Sequence, residues 1–488
     1  MEKTLNRFFQ IPLVRFLASV RLALPMLLIL AALLAAGTIV ESLYTSSIAK
    51  RFVYGTWWFG AFLFLLAVNV LLSALSRYPW KKHQTGFVIT HIGILLILAG
   101  SWVTQKWGTD GQIAVAEGAT GAIFQEDKPL LTCRVDSGEA KRFAAGFPFL
   151  APRPIWPRVF QVAPDASVKV DRFYLNAQKV VEAAPPPEGQ KGTPAVHVSL
   201  ESSFAGASDW LFLGKADYNR LDLGPASVFL DTSAHWPLWL KQEGAAFPSN
   251  ALVILKMPSG AWAAKVRHRG LWGTLKPLAP GKPLQTGWMD MKATLTETKD
   301  PAVPDIRYAP SPLEPQKEPQ PAIHFEARQG PASAEGWMGY EDQMSFNLGP
   351  HAWELSYGPR QASLPFSVQL IKFKLGLDPG TQNPASYASD VVVRGFNGAA
   401  GQVFDIHMNH PLHQSGYTLY QASYFPSGHG KYTSVFSVGR DPGLALKYVG
   451  ALGLVLGIIF MFWFKNPAWK KKESDEIPPP APPAAPAA

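Results

Sequence analysis

The chain is 488 residues long, 47% hydrophobic, with a formal net charge of +9, which excludes a single small domain. Residues 104–442 hold 31 Lys and Arg against 31 Asp and Glu, residues 1–103 hold 9 against 2, and residues 443–488 hold 5 against 3. The basic excess therefore sits beside the apolar segments, a topology signal and not the footprint of a nucleic-acid-binding protein. Cys133 is the only cysteine, which excludes an intrachain disulfide, a Cys-x-x-Cys redox pair and a covalent haem site of the Cys-x-x-Cys-His kind.

In chain order, residues 1–21 read as a cytoplasmic, interfacial N-terminus, because Leu5–Ser19 mixes Phe8, Phe9, Ile11, Leu13, Val14, Phe16 and Leu17 with basic residues. Residues 22–105 read as a three-helix transmembrane region with spans at 22–40, 57–75 and 87–105, each about the 20 residues that cross a hydrocarbon core as helix. The basic N-terminal region is long for a cleaved signal peptide and two spans follow directly, so the first run reads as an uncleaved anchor. A fourth span is expected at 443–464, and the tail 465–488, which ends in Pro and Ala alone, as a disordered cytoplasmic segment. Lys3, Arg7, Arg15 and Arg21, then Arg77, Lys81 and Lys82, then Lys465, Lys470, Lys471 and Lys472 all flank the same side. By the positive-inside rule both termini are cytoplasmic and residues 106–442 lie outside.

Within 106–442 short strand-like runs such as Val196–Leu200, Leu252–Leu255, Ala293–Thr296 and Phe366–Leu370 are bounded by Gly, Pro, Asn or Asp, with no long helical period. The fold class is thus a membrane protein with four transmembrane α-helices, three N-terminal and one C-terminal, carrying a large mostly-β extracytoplasmic domain. Two Pro-rich stretches, 185–194 and 301–321, read as surface loops or as a seam between lobes near 300–321, because Pro cannot donate to a sheet ladder.

The candidate for chemistry is His91, near the cytoplasmic end of the third span. An ionisable side chain inside a bilayer is costly and marks a functional site, and neutral imidazole is a standard axial ligand of haem iron. The alternative is a histidine that hydrogen-bonds a neighbouring helix, for instance through Asn69. No other histidine lies in the spans, and His83 stands eight residues before His91, about 12 Å along a continuous helix. If His91 binds haem, its opposite axial ligand is expected from another chain. His407, His410 and His413, with His429 beyond, form a small outer cluster without a fixed-spacing zinc signature, and Pro411 argues against a helix there. Cys133 lies in an alternating run, Leu130–Val135, and reads as a core cysteine in preference to a reactive thiol. No catalytic motif of a hydrolase, zinc peptidase, P-loop or dinucleotide-binding enzyme is present, so the outer domain reads as a scaffold or binding surface.

Several stretches together resemble the ResB/CcsB family of cytochrome c biogenesis proteins. They are Ser19-Val20-Arg21-Leu22-Ala23-Leu24-Pro25 leading to Gly37-Thr38-Ile39; Tyr54-Gly55 through Val68-Asn69 to Arg77; and His91-Ile92-Gly93-Ile94-Leu95-Leu96 with Gly100, Gly108, Gly111 and Glu117-Gly118. Later come Leu364-Pro365-Phe366-Ser367-Val368, Pro379-Gly380-Thr381, Ser389, Met408-Asn409-His410-Pro411-Leu412, Gly416, Tyr420-Gln421-Ala422-Ser423-Tyr424 and Asp441-Pro442-Gly443. The resemblance covers about 1–120 and 360–465 and is weak across 121–360. It implies a bacterial inner-membrane subunit that works with a multi-span haem-handling protein of the CcsA/ResC type. The pair would carry haem b outward and present it to apocytochrome c, with His91 as one axial ligand and the opposite ligand on another chain. The Trp-rich haem-handling motif belongs to the partner and is absent here, so this subunit alone is not expected to attach haem. Asn409 and Pro411 read as turn residues, and Tyr417, Leu419 and Tyr420 as strand packing.

Overall fold

A computed structural model describes residues 7–146 and 157–465, apart from 188, 205, 225, 244–246, 382, 396–400 and 429. His429 and the tail 466–488 therefore lie outside the described residues, as do Lys3 and Leu5.

Among the described residues four helices are long and apolar enough to cross a membrane, and the chain is a membrane protein. They are a first span, Val20–Leu43, a second, Trp57–Leu75, a third, Thr85–Trp107, and a fourth, Leu444–Lys465. The first begins where Ser19 accepts a hydrogen bond from the Leu22 amide, and the second where Thr56 accepts from that of Phe59. Each cap satisfies an orphan donor of the first turn. A short helix, Pro12–Leu17, precedes the first span.

The third and fourth spans run antiparallel with their backbones in contact. Glycines recur every seven residues on both: Gly86, Gly93 and Gly100 on one, Gly457, Gly450 and Gly443 on the other. Seven residues is close to two helical turns, so each set lines one face. A Cβ at Gly450 would stand 2.6 Å from the Gly93 carbonyl oxygen and 2.8 Å from the Ile97 nitrogen. One at Gly93 would meet the Gly450 oxygen at 2.7 Å, and one at Gly457 the Thr90 hydroxyl at 2.4 Å. Only glycine fits, as expected where helices associate in lipid by close packing of small residues.

This pair continues directly into strands. Thr109–Ala116 follows the third span and pairs antiparallel with Lys431–Arg440, from Thr109↔Arg440 to Ala116↔Thr433, and the latter runs into the fourth span. At the junction Asp441 accepts from Thr104 Oγ1 (2.5 Å) and the Gly443 amide (3.0 Å) and pairs with Lys447 (2.5 Å).

Those two strands are the middle of a large antiparallel sheet, ordered Gln402–Ile406, Pro384–Gly395, His351–Leu377, Thr120–Val135, Thr109–Ala116, Lys431–Arg440, Tyr417–Gly428, Leu412–Gln414. Its two edge strands, Gln402–Ile406 and Leu412–Gln414, are joined by a tight turn, so the sheet folds over on itself. Ser389 Oγ meets Ser434 Oγ (2.6 Å) across the fold, over a core that includes Phe366, Ile406, Leu412, Leu419 and Phe436. The long strands Thr120–Val135 and His351–Leu377 pass an irregularity at Glu126/Pro129 and then serve a second layer. There Leu131, Cys133, Trp353, Leu355 and Tyr357 pack on Val168, Phe173, Ile323, Phe325 and Met338 of a four-stranded sheet.

The loop between the first and second spans is built into that second core. Ile48 is only 3% exposed within it, with Val40, Tyr44 and Phe52 alongside, and the Arg51 guanidinium lies 5.1 Å from the Phe173 ring centre. Residues 311–321 strap the loop from below: Gln316 donates to the Ser42 carbonyl and Glu318 accepts from Ser47 Oγ.

The Pro-rich stretch 301–321 departs from the expected surface loop in its first half. Pro301 and Pro304 lie inside the strand Lys292–Pro310. That strand changes partner there: up to Ala302 it pairs with Thr193–Glu201, and from Val303 with Ala177–Ala184, with a register break between Lys299 and Ala302. A missing N–H is tolerated at such a break. The remainder, residues 206–285, includes a sheet with one parallel pair, Ala226–Thr232 with Asn250–Lys256, joined through the helix Trp236–Glu243. The domain is thus mostly, not wholly, β.

Because the Gly450 site meets backbone on both sides, Gly450→Ala should destabilise the chain by about 1–3 kcal/mol, the usual cost of overpacking. Gly60→Ala, whose Cβ would meet nothing within 4 Å, should leave stability unchanged. Thermal melts of the two variants in one detergent would check this, and equal melting would mean the close seam is absent.

Candidate ligand site at His91

His91 stands in the second turn of the third span, two residues from Gly93, and so about 200° round the helix from the seam with the fourth span. Its Nδ1 lies 2.9 Å from the Phe87 carbonyl oxygen. A carbonyl only accepts, so Nδ1 carries the proton and the Nε2 lone pair is left for a ligand. Among the described residues no hydrogen bond reaches Nε2. The imidazole also packs, tilted, against the Phe87 ring, with centroids 3.9 Å apart at 42°. On Phe87 in turn lies the Arg77 guanidinium, 4.1 Å from the ring centroid. The loop carrying Arg77 is held under the helix ends by Trp80 Nε1, which donates to the Ala74 carbonyl (2.9 Å).

Asn69 does not serve His91. It is 2% exposed and donates to the carbonyls of Leu17 (2.6 Å) and Ser19 (3.2 Å), tying the chain before the first span to the second. His91 is therefore not hydrogen-bonded to a neighbouring helix through Asn69. His83 lies exposed on the turn Lys82–Gln84, outside the helix that carries His91.

The outer histidines are placed by the turn that joins the two sheet edges. His407 and His410 face one another across it, with ring centroids 4.8 Å apart, and Asn409 supplies a left-handed φ of 61°. Their Nδ1 atoms rest on backbone carbonyls of Met408 and Asp405, while His413 Nδ1 contacts Thr418 Oγ1 (3.0 Å). Among the described residues no group of three His, Cys, Asp or Glu side chains is placed to hold a metal. Tyr417 packs by Phe124 and Leu419 is fully buried, but Tyr420 is half exposed and does not pack as expected.

Two features were missed from sequence. One is the column Arg77–Phe87–His91, whose members are separated by ten and four residues and meet only because the loop folds back. The other is the glycine seam, whose signal, a seven-residue repeat on two apolar runs, was present in the sequence.

Comparison with known proteins bears on the β domain. Residues 332–434 match the ResB-like family. The chain resembles that family over this segment. It is also 33% identical over 107 residues to Protein NrfI of Wolinella succinogenes, a stretch that is 22% of this chain and only 12% of that protein's length. The ResB-like segment spans the strands from Ala332–Gly339 into Lys431–Arg440, with the turn of His407 and His410 inside it. His91 lies outside it.

Cys133 is fully buried in the second core, and burial pushes its thiol up to about 12. It therefore stays protonated through neutral pH and loses its proton only as pH climbs toward that value, which leaves no thiolate nucleophile. Iodoacetamide at pH 8 should leave the folded protein unmodified and label it once unfolded. Rapid labelling of the folded chain, read by mass spectrometry, would contradict this burial.

Proposed function

We propose that this chain is a subunit of a haem-delivery complex for cytochrome c assembly, with His91 Nε2 as an axial ligand of haem b. The observation that carries the reading is the Nδ1–H bond to the Phe87 carbonyl. It fixes the tautomer and points the lone-pair nitrogen away from its own helix, the usual role of the outer partner of an iron-ligating histidine. The ResB-like segment and the likeness to NrfI support placement among cytochrome c biogenesis proteins. When bound, haem would supply only an iron centre to be ligated and a macrocycle to be handed on. The chain's own residues bind and orient: His91 takes the iron, and Phe87 sets the plane of the imidazole. No second histidine lies in the spans, so the opposite ligand comes from another chain, a multi-span partner of the CcsA/ResC type. Attachment to apocytochrome c belongs to that partner.

The flanking charge supports a bacterial cytoplasmic-membrane protein with both termini cytoplasmic and the β domain on the outer side. His91 then lies near the cytoplasmic face, where haem would enter. A second reading, a membrane-anchored scaffold for apocytochrome or a partner without haem contact, is favoured by one observation: the family match lies wholly in the β domain.

The two readings separate in the complex purified with its partner. His91→Gly should lose the haem absorption spectrum, and added imidazole should restore it. A spectrum unchanged in the variant would take His91 off the iron and leave the scaffold reading.

A further inference from the structure

We propose that Arg77 anchors a carboxylate of the porphyrin whose iron His91 holds, so that haem is gripped at two points by one column of side chains. The inference rests on the His91 reading above. Phe87 is shared by both groups: its ring lies 3.9 Å from the imidazole and 4.1 Å from the guanidinium carbon. The cation is thereby held at a set place, one ring away from the iron ligand.

Residues 42–109 contain no Asp or Glu, and among the described residues no carboxylate comes within ion-pairing distance of Arg77. A guanidinium stacked on a ring spends its face and keeps its in-plane N–H donors, which match a carboxylate two at a time. Lys81 and Lys82 share the loop, but among the described residues no ring or ion pair fixes their ammonium groups. They are hydrated point charges on flexible stems, useful for topology and poor for orientation. A haem offers the complementary pattern: an iron that takes a neutral imidazole, and propionate carboxylates at the macrocycle edge that need a cation when brought into the boundary of a bilayer.

A lipid phosphate is the other oxyanion available there, and esterified haem separates the two. The complex, purified with its partner in detergent, would be loaded with haem or with haem dimethyl ester, whose propionates carry no charge. Release to apomyoglobin is then timed for native protein, Arg77→Gln and Arg77→Lys, with the absorption spectrum reporting iron ligation. Arg77→Gln should release haem about tenfold faster or more, the scale of one lost charge-assisted hydrogen bond, and keep the native spectrum. Arg77→Lys should fall between, and the dimethyl ester should leave all three at one rate. Equal acceleration for both porphyrins would assign Arg77 to packing or to lipid and overturn the anchor, as would no change for either. His91→Gly measured alongside keeps the two ideas apart: an unchanged spectrum there removes the iron ligand alone, and the ester comparison still decides Arg77.

Discussion

The joint between the third and fourth spans is the contact on which the remaining architecture hangs. In lipid no hydrophobic gain drives helices together, so association depends on how closely their backbones approach. Glycines at seven-residue intervals on both helices let carbonyl oxygens of one meet α-carbons of the other. The same two segments then leave the bilayer as a strand pair, Thr109–Ala116 against Lys431–Arg440, without an intervening loop. Asp441 closes the corner, taking hydrogen bonds from Thr104 and the Gly443 amide and an ion pair from Lys447. The register of the helices and the register of the sheet are therefore one setting, shared by residues more than three hundred positions apart.

A second attachment opposes the first. The loop after the first span reaches the β domain through Ile48 in the core and through Lys50, which pairs with Asp110 (3.3 Å) and Asp127 (3.7 Å). Lys50 and both acids are more than half exposed, so these ion pairs contribute at most about 1 kcal/mol. Burying an isoleucine side chain contributes roughly 1.5–3 kcal/mol. The apolar contact wins, and the ion pairs refine its position. With one corner held by the glycine joint and another by this plug, the β domain is fixed on the helices at two separate places.

Much of this was legible in the sequence for simple reasons. Spans declare themselves by length and hydropathy, and strands by alternation between turn residues, so the four helices and the mostly-β domain followed from local signals. Long-range partnership does not declare itself. Gly93 and Gly450 each look like an ordinary glycine in an apolar run until the two runs are set side by side. Pro301 and Pro304 look like loop residues, yet Pro301 sits in the break where one strand exchanges Thr193–Glu201 for Ala177–Ala184, and Pro304 pairs with Ala183 just beyond it. His91 was visible because a titratable side chain in a bilayer is rare, whereas Arg77 looked like one more flanking charge. Its aromatic seat depends on the fold of the loop that carries it.

The geometry of the third span also decides where His91 stands. A helix has a limited circumference, and the glycine face of this one is wholly taken by the fourth span. Ile94 and Leu95 lean toward Met26, Leu66 and Val70 of the first and second spans. His91 is directed away from the seam, at the end of the bundle where the second span has given way to the Arg77 loop. None of the other three spans brings a histidine to that end. The imidazole is held by its own backbone, with Nδ1 on the Phe87 carbonyl and no hydrogen bond to Nε2 among the described residues. The same close seam that takes the opposite face of the helix keeps this one clear of the fourth span.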